Sequence, residues 1–281
     1  MLGASLGMAL VAEAAASALT GPASARAGAN AAASPPTYRV VTALVANLWT
    51  SPTAARPVDA AMVAPNPNVL TWLRALDRLP KLAGRLGLHG RIDTQLRRIE
   101  PVIVLRTLRN GWTQVACPWH PRTPKPHGYV GWLAPGQVSR TPWRGATRRG
   151  VPVVTSPRRP TTFLTAARSM TGVAYLWGGA TPYGVDCSGL VLTAARAVGV
   201  QVPRDADDQF RASMKVPIAD VRPGDLYFFA HPGKGAHHVG IVTRPGWMLN
   251  APSTGTRVRE ERITGARRAT LAGAGRYAGL S

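Results

Sequence analysis

Cysteine is almost absent from this 281-residue chain, where Cys117 and Cys187 stand alone. Two thiols close at most one disulfide, so a disulfide framework is excluded, and a zinc site built on cysteines has too few ligands. Lysine is nearly as scarce, confined to Lys81, Lys125, Lys215 and Lys234. Acidic residues are few: Asp+Glu 13 stand against Lys+Arg 34, for a formal net charge of +21. Positive charge here means arginine, and it points to a polyanionic partner, either nucleic acid or an anionic envelope polymer. The arginines are scattered rather than gathered in a stripe, and no nucleic-acid motif is present, which argues against the first. An Ala- and Arg-rich, Lys-poor chain is also what GC-rich coding produces, so charge alone decides little. Beyond the N-terminal segment no apolar run is long enough to span a bilayer.

That N-terminal segment has its own pattern. Residues 2–19 are mostly Ala, Leu, Gly, Met and Val, and Ala23-Ser24-Ala25 follows, which together resemble a secretory signal and its cleavage site. No basic residue precedes the apolar stretch, and Glu13 interrupts it. Read as a signal-like and low-complexity lead-in, 1–37 implies a secreted or cell-envelope protein; without that function the chain is cytoplasmic. No cysteine follows the apolar segment to carry a lipid.

From Tyr38 the texture is that of a β domain with an insertion, over 38–140. Val40 to Val45 has the β-branched content of a strand, ended by a turn at Thr50-Ser51-Pro52. Val69, Trp72, Leu73, Leu76 and Leu79 fall at helical spacing, and Pro80 ends that helix. Val102 to Leu105 and Trp112 to Ala116 flank Asn110-Gly111, a strong hairpin signal. Gly128 to Leu133 makes one more strand. The Pro/Arg-rich stretch 141–160 reads as a linker, and 161–281 as a second domain.

Cys187 sits in that second domain, in Asp186-Cys187-Ser188-Gly189-Leu190-Val191. Asp186 is placed to cap a helix that runs to Gly199, which puts Cys187 in its first turn. Unpaired N–H groups and the helix dipole there favour a thiolate, so a depressed thiol pKa is expected. The same N–H groups can receive the oxygen of a tetrahedral intermediate. Downstream, His238 lies on a strand His237–Val242, with His231 and His237 as other candidate bases. Asn250 follows the next short apolar run. Cysteine at a helix start, histidine on a strand and a polar residue on the next strand is an arrangement of nucleophile, base and orienter.

The words Tyr175-Leu176-Trp177-Gly178-Gly179, Asp186-Cys187-Ser188-Gly189, Pro203-Arg204-Asp205, Arg222-Pro223-Gly224-Asp225-Leu226 and His238-Val239-Gly240-Ile241-Val242 occur in order. This set resembles the NlpC-type cell-wall cysteine peptidases. The preceding half, through Leu48-Trp49-Thr50-Ser51-Pro52, Thr94-Gln95, Gly111-Trp112 and Gly128-Tyr129-Val130-Gly131-Trp132, is similar to bacterial SH3-like domains with a helical insertion. The order is that of γ-D-glutamyl-diamino-acid endopeptidases. The resemblance implies an α+β fold, with a papain-like catalytic domain behind an SH3-like β barrel. It implies Cys187 as nucleophile, His238 as base and Asn250 as orienter, at a place where the family commonly has His. It further implies Tyr175, Asp186 and Ser188 as a pocket for the amine of an N-terminal L-Ala, with helix capping as the plainer role of Asp186. Arg204 would pair with a substrate carboxylate, or with Asp205 or Asp208. Where the family often has Ser, Ala206 stands. Tyr129 would reach the site from the first domain. The implied substrates are peptidoglycan stem peptides or muropeptides, cut without metal or organic cofactor. A non-catalytic wall-binding protein of the same fold is the alternative.

Overall fold

The computed structural model describes residues 37–143 and 162–280. The signal-like segment and nearly all of the expected linker lie outside the described residues.

Strand β1 covers Tyr38–Val40 and β2 Val45–Trp49. The single strand expected from Val40 to Val45 is therefore broken. Val41 makes an isolated bridge to Val138 and its carbonyl accepts from Ile99 N–H, so the chain turns a corner where β-branched residues alone suggest continuation. Between β2 and the next strand lie α1 (Ala60–Val63) and α2 (Val69–Asp77), capped by the Asn68 side chain. Val69, Trp72, Leu73 and Leu76 of α2 are buried and pack with Trp49, Met62, Leu88 and Ile92, as the helical spacing requires. The Trp72 indole also donates to Asp59 at 2.7 Å, which anchors the insertion through a buried polar contact.

Strands β3 (Ile92–Arg97), β4 (Pro101–Thr107), β5 (Thr113–Cys117) and β6 (Tyr129–Leu133) complete one antiparallel sheet in the order β1-β4-β5-β6-β2-β3. Gly111, at φ +86°, makes the turn of the β4–β5 hairpin. The sheet packs around Val41, Ala46, Leu48, Leu96, Val102, Val115 and Leu133. Cys117 is fully buried here, and burial pushes its thiol well up, so it is an inert core residue.

The second half opens with α3 (Phe163–Arg168), the short pair β7 (Ala180–Thr181) and β8 (Gly184–Val185), and α4 (Cys187–Ala197). Then come α5 (Ala206–Ala212), β9 (Met214–Val216), β10 (Leu226–Phe229), β11 (His238–Arg244), β12 (Trp247–Asn250), β13 (Arg259–Arg262), α6 (Gly265–Ala269) and β14 (Leu271–Arg276). The six longer strands form an antiparallel sheet in the order β13-β12-β11-β10-β14-β9. Leu190, Val191 and Ala194 of α4 share a buried core with Leu226, Phe228, Val239 and Ile241 of the sheet. The described residues form one compact unit. Within it the halves share side chains, since Leu176 of the second packs with Trp49 and Ile92 of the first.

Candidate active site

Asp186 caps α4 by accepting Gly189 N–H at 2.7 Å, which places Cys187 in the first turn as its sequence context requires. Cys187 is 9% exposed, and the backbone N–H groups of Val239 and Ser188 lie close enough to favour its thiolate. Its acidity runs against the sequence expectation. Burial first, and the Asp186 carboxylate second, push the thiol up to about 11; the two N–H donors oppose this without overcoming it. The helix terminus is a local effect, and here desolvation outweighs it.

Val239 packs with Cys187 and Val191, which sets β11 against α4, and His238 is the residue before it. The Asn250 amide is oriented by its Nδ2, which donates to the Arg259 carbonyl at 3.5 Å. Its Oδ1 therefore faces His238 and accepts from Nε2–H at 3.0 Å. This fixes the tautomer and leaves Nδ1 as the basic nitrogen. Burial, then the nearby Arg267 charge, lower the His238 pKa to about 3, so the ring rests neutral. Phe229 packs against it with ring centroids 5.6 Å apart.

A cavity of about 380 Å³ opens onto Cys187, lined by both halves. Tyr175, Asp186, Ser188 and Arg204 line it, as expected, but two of them are committed elsewhere. Arg204 is 1% exposed, and its fork donates to Asp186 Oδ1 at 3.0 Å and Oδ2 at 2.6 Å, with Ser188 Oγ at 2.9 Å and Thr94 Oγ1 at 2.7 Å completing its partners. Neither Asp205 nor Asp208 hydrogen-bonds it, and four of its five N–H donors are spent within the protein, which leaves a single Nη2 N–H. Asp186 is similarly saturated, because Gly178 N–H donates to its Oδ2 at 3.0 Å and the Ser188 hydroxyl to its Oδ1 at 3.3 Å. The cap and the ion pair consume the carboxylate expected to hold an amine.

Asp205, Asp207 and Asp93 also line the cavity, and of these Asp93, on β3 of the first half, is not singled out by the sequence. It makes no ion pair among the described residues, and burial raises its pKa above the ordinary carboxylate value. Tyr129 lies beside it, donating its phenol to Asp205 at 2.6 Å while keeping oxygen lone pairs for a ligand. Tyr175 lies close enough to Cys187 that burial and the thiol's charge both raise the phenol's pKa. His237, set aside in favour of His238, also lines the cavity and stacks on His231 at 4.7 Å. Among the described residues no group of His, Cys, Asp or Glu could hold a metal.

The NlpC/P60 family pattern matches residues 172–271. The chain is 31% identical to the gamma-D-glutamyl-L-lysine dipeptidyl-peptidase of Bacillus subtilis, over 76% of this chain and 90% of that protein. It is 23% identical to the protein of the same name from Bacillus cereus, over 74% and 80% of the two. The crystal structure of an NlpC/P60 family protein from Bacillus cereus superposes with a TM-score of 0.73 at 21% identity, covering 86% of this chain and 99% of that one, which shows the shared two-part fold. With a relative of that identity matched along nearly its whole length, the chain belongs to the NlpC/P60 family.

Proposed function

We propose that the protein is a cysteine endopeptidase that cuts the γ-D-glutamyl–diamino acid bond of peptidoglycan stem peptides or muropeptides carrying a free N-terminal L-Ala. The observation that carries this reading is the cavity. Cys187, a half-buried Asp93 carboxylate with no ion pair among the described residues and the Tyr129 phenol all line it, which supports this reading. A half-buried carboxylate without an ion-pair partner among the described residues favours a cation, and a substrate ammonium supplies one together with N–H donors. The names of the two Bacillus relatives support the same bond. Extracytoplasmic action fits such a substrate. Among the described residues no helix is long and apolar enough to cross a membrane.

The chemistry follows from the protonation states. Cys187 and His238 rest as a neutral pair. As the sulfur attacks the γ-carbonyl carbon, the thiol proton passes to His238 Nδ1, and the S–C bond forms as the carbonyl oxygen becomes anionic. Asn250 Oδ1 stabilises the resulting imidazolium through Nε2–H. Collapse breaks the C–N bond, and His238 returns its proton to the leaving amine. Water, deprotonated by His238, then hydrolyses the thioester and restores the thiol. Cys187→Ala is expected to abolish release of L-Ala-γ-D-Glu from a defined tripeptide, read by mass spectrometry. Undiminished release by that variant would sink the assignment.

A further inference from the structure

Strand β3 does more than wall the cavity. Its side chains alternate in direction, so Asp93 faces the cavity while Thr94 points into the junction between the halves. Three successive attachments fasten β3 to the catalytic half. The Ile92 carbonyl accepts from the Trp177 indole at 3.2 Å, Thr94 Oγ1 accepts from Arg204 Nε at 2.7 Å, and Gln95 Oε1 accepts from the Thr181 hydroxyl at 3.0 Å.

Behind Thr94 stands His120, fully buried. Glu100 Oε2 accepts from His120 Nε2–H at 2.8 Å, because a carboxylate paired with Arg196 and Arg97 has no proton to give. That tautomer leaves Nδ1 as an acceptor, so the Thr94 hydroxyl donates to it at 3.0 Å. With its proton turned to His120, Thr94 offers its lone pairs to Arg204. Every group in the series Glu100–His120–Thr94–Arg204–Asp186 is thus satisfied, and it ends on the cap of the helix that carries Cys187. Arg196, from the other end of α4, joins the same Glu100 at 3.0 Å and also donates to the Trp119 carbonyl. A carboxylate, an imidazole and a hydroxyl in series resemble a hydrolytic triad. This one is sealed, however: Thr94 is fully buried, is not among the cavity-lining residues, and its lone pairs are engaged by a guanidinium.

We propose that Thr94, with His120 behind it, is a positioning residue for substrate selection, holding β3 and therefore Asp93 at a fixed distance from Cys187. This rests on the proposed peptidase reading. The test compares a free-amine tripeptide with its N-acetylated form, using the full chain. The wild-type protein should prefer the free-amine peptide. In Thr94→Val, which keeps shape but removes the hydroxyl, kcat/KM for that peptide should fall about tenfold, mainly through KM, because one hydrogen bond to a charged group is lost. The acetylated peptide, which Asp93 does not hold, should be unaffected, so selectivity falls. Thr94→Ser should restore it. If Thr94→Val fails to fold, His120→Leu, which removes the acceptor for Thr94 while Arg196 and Arg97 still hold Glu100, must show the same loss of selectivity. Equal losses on both peptides, or wild-type selectivity in the variants, overturn the proposal. A wild-type protein that turns over neither peptide overturns the peptidase reading and the proposal with it; one that turns over both equally is a peptidase without the free-amine requirement, which overturns the proposal alone.

Discussion

Replacing Arg204 by methionine removes a buried guanidinium while keeping most of its length. Arg204 is 1% exposed, and its side chain meets that of Asp186, itself 10% exposed, at 2.6 Å. Breaking a buried pair by deleting one partner typically costs about 3–5 kcal/mol, because the remaining charge is left uncompensated. Asp186 retains Gly189 N–H at 2.7 Å and Gly178 N–H at 3.0 Å, so its charge is not wholly stranded, and the lower figure applies. The expected loss is about 3 kcal/mol, or roughly 6–12 °C in Tm for a chain of this size. Asp186→Asn should cost at least as much, since it strands the guanidinium instead. The double variant removes both charges and should be more stable than the sum of the single losses predicts, by at least about 2 kcal/mol of coupling. Urea unfolding followed by tryptophan fluorescence measures all three. A loss below about 1 kcal/mol in Arg204→Met, or additive effects in the double variant, would refute the claim that the cap and the ion pair act as one unit.

Asn250→Ala removes the acceptor for His238 Nε2–H and should lower kcat by about ten- to a hundredfold with KM nearly unchanged, read from initial rates on a defined tripeptide. Acid should destabilise the fold well before its carboxylates titrate. His120 and His238 are lowered by burial to about 4 and about 3, whereas both titrate near 6.5 when unfolded. The unfolded chain therefore binds more protons below pH 6.5, and the stability present above that pH is lost as pH falls toward 4. The slope is roughly 1 kcal/mol per pH unit for each group. Urea midpoints that stay flat from pH 7 to pH 4.5 would contradict the neutral buried state of these rings.

What the sequence made legible was local. Asp186-Cys187-Ser188-Gly189 announces a capped helix start because the cap and its acceptor lie three residues apart, and His238 and Asn250 fall on strands whose alternation places them. The α2 face and the β4–β5 turn were readable for the same reason. Contacts between the halves were not. Arg204 meets Thr94 across 110 positions of sequence, and Gln95 meets Thr181 across 86, with no local signature at either end. That is why the sequence does not single out Asp93 among the carboxylates of the cavity, and why it offers Arg204 a substrate carboxylate, Asp205 or Asp208 when Asp186 already holds it. The Cys187 pKa failed similarly: a helix dipole can be read from four residues, but burial depends on everything packed around them.

That last failure bears on how such a site works. A thiol held up near 11 beside an imidazole held down near 3 does not rest as an ion pair, because the same desolvation disfavours both charges. Moving the proton from sulfur to nitrogen in the empty site is uphill. It becomes favourable only as the sulfur bonds to carbon, when negative charge leaves sulfur for the substrate oxygen and the imidazolium gains that oxyanion as a counter-charge. In the proposed reaction nucleophile activation is thereby tied to a correctly seated carbonyl, and seating to the distance from Asp93 to Cys187. A strand of the first half, fastened through Thr94, Gln95 and the Ile92 carbonyl, fixes that distance. On the proposed reading the N-terminal half therefore takes part in the chemistry as well as in substrate binding.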